Sequence, residues 1–511
     1  MLKNDFKRKI KTPEELKIIV EALKSENKTI VLCHGDYDLL HRGHLHQFEQ
    51  AVKQGDVLVV SITADVFMTK GPGRPVFKEN LRTEMIAAME IVDFVTISNF
   101  KTGVELIRLL KPDVYVKGVS EHERAEDSST KVFLEKKAIE EIGGKMYFSH
   151  EMPIHATPLL NNFVDPYPAE VLTFLENLGK TYTLDNIISA VNSLADLRVL
   201  VIGETIIDQY DFVKTMDVSP KGGVMVHQYL KSEFFAGGIL ACTNYISNFC
   251  SEVRLFSCMG GVDSHESFIN GSLASNVDPF FLVKDNFRTI VKRREVETTY
   301  FSKRTETYFM NDASLSDAEE MLVIERLEAE IKNYDLIFVL DYGHGFITPN
   351  IIKFLADNSR FLAVSTQANA ANKGFHVITC YPRADYICVN YFEAKLALHD
   401  KHSEPIVLAR KLQDILHAQL INITLGRHGS MILDDKGMTY NTPVFSKNIV
   451  DIVGAGDALF SVTAMCAVKG LPPNLVGFIG NLVGGLATTY IGTNGCITKS
   501  MLFNFMRSLM A

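Results

Sequence analysis

The chain has 511 residues, a formal net charge of -9 and eight cysteines. That length predicts two or three domains, each large enough to bury a core of its own. The negative balance excludes a general nucleic-acid binder, which needs clustered Lys and Arg against phosphate. The cysteines stand singly, with no C-x-x-C pair, so free thiols in a reducing cytoplasm are expected rather than a disulfide framework or a zinc site. The short basic run Lys7 to Lys11 is expected to be a solvated face, and no apolar stretch near it suggests a signal peptide.

In chain order, the first chemical signal is Thr29-Ile30-Val31-Leu32-Cys33, a β-branched apolar run that predicts a buried parallel strand. It leads through Gly35-Asp36-Tyr37-Asp38 into Leu39-Leu40-His41-Arg42-Gly43-His44 and an amphipathic helix. His41 and His44, three apart at a helix start, fall on one side, and Gly43 between them lets a nucleotide approach the backbone. A pair of histidines also suits a zinc site or a chance surface pairing; no third ligand stands at useful spacing, which disfavours zinc.

This stretch resembles the cytidylyltransferase-like nucleotidyltransferases, whose signature is a strand followed by Gly-x-Phe-Asp-x-x-His-x-Gly-His. Here Gly35, Asp38, His41, Gly43 and His44 match it, and Tyr37 stands for Phe. The resemblance continues through the strand and turn Gly55 to Asp65, the loop Lys70 to Val76, Asn80-Leu81-Arg82, the strand Val114 to Gly118 with Lys117, and Ala156 to Asn161 with Thr157. In the last segment Pro158 replaces a residue that would have an N–H to offer phosphate. The family's reaction is attack by a substrate phosphate on the α-phosphorus of a nucleoside triphosphate. It needs no protein nucleophile, only cations and donors around the phosphorus, which the resemblance assigns to His41, His44, Lys70, Arg82 and Thr157.

Asp165-Pro166-Tyr167-Pro168 interrupts the pattern, and Tyr182-Thr183-Leu184-Asp185 reads as a cap for a helix running to Leu194. A second set of strands follows. It comprises Arg198 to Gly203, Val253 to Ser257, Asp335 to Asp341, Ala384 to Asn390 and Leu420 to Leu425, separated by helical segments. That alternation predicts a parallel α/β sheet. Ser316 and Glu319 form a capping box for a helix beginning at Asp317. Leu475 to Ile491, apolar but interrupted by glycines and Asn481, predicts a buried helix packed closely on a neighbour rather than a membrane span.

Near the end, Val450 to Phe460 reads as a tight turn, Gly454-Ala455-Gly456, opening into a helix with Asp457 in its first turn. Unpaired N–H groups at the positive end of a helix dipole can hold a phosphoryl group, and a carboxylate there can take a proton from a hydroxyl. The same residues also suit an ordinary glycine turn with Asp457 as a helix cap.

Taken with its neighbours, the second half resembles the ribokinase-like sugar kinases. Asp451-x-x-Gly454-Ala455-Gly456-Asp457 stands at that family's anion hole and catalytic base. Asp208 and Gly237-Gly238 match its sugar-side elements, Asn390-x-x-Glu393 the segment linked indirectly to Mg²⁺, and Thr424-x-Gly426-x-x-Gly429 its nucleotide-side loop. The chain departs from the pattern at Ala241, at Ile452-Val453 and at Ser365-Thr366-Gln367, where many relatives carry Asn, two threonines and Asp-Pro-Lys.

Together the halves imply an α/β chain of two domains. Residues 1–165 are expected to form a Rossmann-like nucleotidyltransferase, 166–195 a connector and 196–511 a ribokinase-like sandwich. The combination is similar to the bifunctional enzymes of ADP-heptose synthesis, heptose-7-phosphate kinase joined to heptose-1-phosphate adenylyltransferase, with the domain order reversed. The resemblance implies ATP as substrate in both halves with Mg²⁺, admits a monovalent cation, and points to a cytoplasmic enzyme of small-molecule substrates, without nucleic acid or membrane, and to a homodimer. Two alternatives stay open: a cytidylyltransferase acting on a non-heptose phosphate, and a transferase whose kinase-like half is a silent sugar sensor or dimerisation module.

Overall fold

The computed structural model describes residues 6–68, 75–100, 102–118, 130–149, 167–446, 449–493 and 496–510. The chain divides into two compact units, residues 1–166 and 167–510.

In the first unit, strands β1 (Ile30–Gly35), β2 (Val57–Thr63), β3 (Phe94–Ser98), β4 (Val114–Gly118) and β5 (Lys145–Ser149) form a parallel sheet in the order β3-β2-β1-β4-β5. Successive side chains leave opposite faces of a strand, and both faces here are covered. Ile30 and Leu32 accordingly enter one core, while Val31 and Cys33 enter the other. The strand order reverses between β1 and β4, and in such sheets ligands bind beyond the carboxyl ends at that reversal. The helix Arg42–Ala51 starts just after β1, and Lys117 lies at the end of β4.

The second unit continues with β6 (Arg198–Gly203), β7 (Thr205–Val218), β8 (Met225–Gly237), β9 (Glu252–Val262), β10 (Val277–Arg288), β11 (Ile290–Glu297), β12 (Ser302–Phe309), β13 (Leu336–Asp341), β14 (Leu362–Thr366), β15 (Tyr386–Asn390), β16 (Leu420–Thr424), β17 (Ser430–Asp434) and β18 (Thr439–Thr442). Among the described residues, nine of these form one sheet, β10-β9-β6-β13-β14-β15-β16-β17-β18. It is parallel as far as β16, and β17 and β18 add an antiparallel edge. Val199 and Val201 face one core and Leu200 and Ile202 the other, and Leu336, Phe338 and Leu340 alternate with Ile337 and Val339 in the same way. A second sheet, β12-β11-β7-β8, was not foreseen from the sequence. Its strand β8 is largely exposed and so lacks the apolar run that marks a buried strand.

Local signals read from the sequence are present. Ser316 and Glu319 cap helix Asp317–Glu330, and Thr183 caps Leu184–Asn192. The glycine-bearing apolar helix spans Pro473–Ala487. A Cβ at Gly480 would lie 2.4 Å from Cγ2 of Thr463, on helix Ala455–Val468, so the glycine permits the close approach. Among the described residues no helix is long and apolar enough to cross a membrane.

Candidate active sites

In the first unit His41 is the N-cap of helix Arg42–Ala51, and its Nδ1 accepts the N–H of Gly43 at 3.1 Å. Its ring stacks on that of His44 with centroids 3.9 Å apart, so the two imidazoles share one side of the helix start. Tyr37 sits edge-on to His44 at 5.2 Å and is buried, and Gly35 lies against the Tyr37 ring where a Cβ would come within 3.1 Å. Asp38 is buried and accepts the N–H of Phe77 at 3.0 Å, holding the chain just after the Lys70 loop. Lys70 and Thr157 lie outside the described residues.

Two cations behave differently from what the motif alone suggests. Arg82 is fully buried, and its guanidinium donates to the carbonyls of Phe77 and Thr63, each at 2.9 Å, to that of Asp36, and to Asp65 Oδ1 at 2.7 Å. Every nitrogen of the fork thus engages the segments that follow β1 and β2. Lys117 Nζ lies 3.0 Å from Glu135 Oε2 and 3.2 Å from the carbonyl of His34, so it braces the ends of β1 and β4. Glu135, on helix Lys131–Glu141, also accepts the N–H of Gly103 at 2.9 Å. Burial pushes its carboxyl up, but the charge of Lys117, the nearby His34 and these hydrogen bonds together hold it below the usual range. Burial, with the charge of Lys117, lowers the neighbouring His34 to about 4, leaving a neutral ring at neutral pH.

In the second unit a cavity of about 340 Å³ gathers residues from both sheets. Gly454 is the N-cap of helix Ala455–Val468, at φ +80°, a conformation open to glycine. Gly456 lines the cavity, and a Cβ there would meet nothing within 4 Å, so an anion can approach its backbone. Asp457 follows in the first turn. Its Oδ2 accepts the hydroxyl of Tyr342 at 3.2 Å, and its Oδ1 accepts the side-chain amide of Gln367. Burial lifts its pKa to about 6; the Tyr342 hydrogen bond opposes that rise, the charge of Asp208 adds to it, and Lys292 and Gln367 oppose it. A carboxylate so placed is ionised at neutral pH yet basic enough to accept a proton.

The sugar-side residues are drawn together by strand pairing. Asp208 on β7 faces the cavity, and Gly237, at the end of β8, lets that strand close on it: a Cβ at Gly237 would fall 2.4 Å from Asp208 Oδ2. Gly238 follows at φ +52°. Beside them Lys292 and Arg294, two apart on β11, point into the same cavity. Arg294 is paired with Asp208 and lies 2.6 Å from Glu306. Lys292 Nζ lies 5.0 Å from the centre of the Tyr342 ring, and burial lowers its pKa. Sequence reasoning missed these two cations, although Lys-x-Arg at strand spacing places both on one face.

Also lining the cavity, Asn390 and Glu393 form a reciprocal cap. The side chain of Asn390 accepts the Glu393 N–H and Glu393 accepts the N–H of Asn390, each at 2.9 Å. Glu393 also accepts the N–H of Ala368 at 3.1 Å, and burial raises its pKa to about 7. Thr424 lines the cavity at the end of β16. Gly426 and Gly429 shape the turn behind it, at φ +58° and +84°, where a side chain at Gly429 would overlap the carbonyl of Thr442. Among the described residues no group of three or more His, Cys, Asp or Glu is arranged to hold a metal ion.

Comparison with known proteins agrees with this division. Residues 32–159 match the cytidylyltransferase-like family and residues 196–500 the pfkB family of carbohydrate kinases. The chain is 46% identical over 115 residues to the bifunctional protein HldE of Desulfatibacillum aliphaticivorans, covering 22% of this chain and 24% of that one. It is 33% identical over 144 residues to that of Syntrophotalea carbinolica, covering 28% of each. These matches lie in the cytidylyltransferase-like region, so they span about a quarter of the relatives' own length. Phosphofructokinase-2 from Escherichia coli, solved in complex with potassium, shares the fold of the second unit at a TM-score of 0.50 and 14% identity, over 62% of this chain and 100% of its own. Over the larger part of its length, with a cytidylyltransferase-like domain ahead of it, the chain belongs to the pfkB family of carbohydrate kinases.

Proposed function

We propose that the chain makes a nucleotide-activated sugar in two steps. The second unit phosphorylates C1 of heptose 7-phosphate with ATP, giving heptose 1,7-bisphosphate and ADP; after a separate phosphatase hydrolyses the 7-phosphate, the first unit transfers AMP from ATP to heptose 1-phosphate, giving ADP-heptose and pyrophosphate. The observation that carries this reading is Asp457, buried at a helix N-terminus on one wall of a cavity in which Lys292 and Arg294 also project. In the kinase step the sugar hydroxyl oxygen bonds to the γ-phosphorus, the bond from that phosphorus to ADP breaks, and the hydroxyl proton passes to Asp457. The N–H groups at the start of helix Ala455–Val468 face the charge gathered on the phosphoryl oxygens. Lys292 and Arg294 supply positive charge for a substrate that already carries a phosphate.

Bound Mg²⁺ would neutralise charge on the ATP phosphates. Glu393 and Asn390 suit its neighbourhood through water, because each is already engaged in the helix cap. In the transferase step His41 and His44 face the departing pyrophosphate, Lys70 and Thr157 are the further donors that the family resemblance implies, and Arg82 acts as a positioning residue. The names of the HldE relatives support the heptose assignment. A cytoplasmic location and a homodimer complete the reading.

The test is product analysis of the full chain with ATP, Mg²⁺ and heptose 7-phosphate. With a phosphatase specific for the 7-phosphate of the bisphosphate added, wild type should yield ADP-heptose, Asp457→Asn should leave heptose 7-phosphate, and His44→Ala should accumulate heptose 1-phosphate; without the phosphatase wild type should stop at the 1,7-bisphosphate. Untouched heptose 7-phosphate with wild type would remove the heptose assignment; a silent kinase half would release no ADP with any sugar.

A further inference from the structure

Asp451 opens the turn that carries Gly454 and Asp457, and its carboxylate is buried with both oxygens engaged. Oδ1 accepts the ammonium of Lys303 at 2.6 Å and the N–H of Val453 at 3.1 Å. Oδ2 accepts the hydroxyl of Tyr210 at 2.7 Å and the N–H of Gly492 at 3.1 Å. Lys303 lies on β12 and Tyr210 on β7, so two of the four donors come from the four-stranded sheet. A carboxylate taken out of water has to be met by donors or by positive charge, and in this set Lys303 is the full positive charge. A free monovalent cation does not fit this carboxylate: both oxygens are taken, and an ammonium already lies in contact with one of them.

We propose that Lys303 is a positioning residue for the phosphate-holding turn. It is a built-in ammonium standing where a dissolved monovalent cation would otherwise balance Asp451, and it ties the turn to the four-stranded sheet. The proposal rests on the kinase reading of the Asp457 site. Two consequences follow from the geometry. The wild-type kinase step is indifferent to the monovalent cation in the buffer, and loss of the Lys303 ammonium creates a site that a small cation can fill.

The experiment measures ADP release by the full chain with ATP, Mg²⁺ and heptose 7-phosphate in choline chloride, KCl or NH₄Cl at equal ionic strength. Wild type should run equally in all three. Lys303→Met, checked for folding by thermal unfolding, should lose tenfold or more in kcat in choline and regain most of it in KCl or NH₄Cl. A merely structural role would not give that rescue. A folded Lys303→Met that keeps the wild-type rate in choline, or stays impaired in all three salts, overturns the proposal, as does a cation requirement in wild type. Should Lys303→Met fail to fold, Lys303→Gln takes its place. Crystals soaked in rubidium provide a readout independent of turnover: an anomalous peak beside Asp451 in the variant but not in wild type supports the proposal, and its absence from the variant sinks it. If wild type releases no ADP with any sugar phosphate, the kinase reading fails while the rubidium measurement still decides the role of Lys303.

Discussion

The hydroxyl of Tyr342 donates to Oδ2 of Asp457 across 3.2 Å, in a cavity that Asp208 also lines. The first residue keeps the second ionised: a donor to the charged form offsets part of the rise that burial imposes. The kinase kcat/KM should therefore fall as the pH drops through about 6, the value at which Asp457 takes up its proton. Tyr342→Phe removes the donor and should move that acid limb to higher pH by roughly half a unit to one unit. A pH profile of ADP release checks both, and an unchanged limb in the variant would break the link between the two residues.

Asp457→Asn should separate chemistry from stability. General-base loss predicts a fall in the kinase rate of about 10² to 10⁴, while adenylyl transfer to supplied heptose 1-phosphate continues. Stability should move the other way. A carboxyl whose folded pKa is raised is favoured when protonated, so its stability contribution is present at low pH and is lost as the pH rises through about 6. Above that value the amide avoids the cost of a buried charge, and the second unit should unfold at a higher temperature than wild type, by up to about 3 kcal/mol at roughly 1.4 kcal/mol per pKa unit. Calorimetry at pH 8 and pH 3 should show the gain at the first pH and little at the second, which lies below the ordinary carboxylate value.

Arg294→Met should act on substrate capture more than on turnover. The pair with Asp208 is lost, and a charge-assisted contact of about 1.5 to 3 kcal/mol corresponds to about a ten- to hundredfold rise in KM for the sugar phosphate. The unpaired Asp208 should also push Asp457 further up, since its charge already acts in that direction. Steady-state kinetics at pH 7 and pH 8 test this, the defect being smaller at the higher pH.

In the first unit, Arg82→Met and His44→Ala should divide cleanly. Removing a buried guanidinium strands Asp65 and three carbonyls, at a cost of about 3 to 5 kcal/mol to that unit. His44→Ala should leave the unfolding transition in place and lower the transferase rate by about 10² to 10³. Thermal unfolding beside an adenylyl-transfer assay reads the two effects. Equal loss of stability in both variants would remove the distinction.

What was readable in the sequence was whatever is local. Ile30 to Cys33 and Leu336 to Asp341 announce buried strands because each run is apolar on both faces. Gly454 marks a turn whose positive φ a β-carbon would strain, and Ser316 with Glu319 marks a helix start. What stayed hidden depends on pairing at a distance. Lys292 reaches the cavity because β11 pairs with β7 opposite Asp208, and nothing near residue 292 specifies that partner. Strand β8 is mostly exposed, so the sheet to which it belongs left no hydrophobic signature. Arg82 sits in a motif that suggests phosphate, and only the folded loops show that its nitrogens are already committed.

Lys292 and Arg294 sit on β11, whereas Asp457 and its glycines, which line the same cavity, sit on a turn far along the chain. Taste and chemistry are thus written on separate strips of sequence. A descendant of this chain that exchanges Lys292 for a neutral residue keeps its proton acceptor in place but removes a charge that holds the Asp457 pKa down, so a change of taste also moves the pH range of the chemistry.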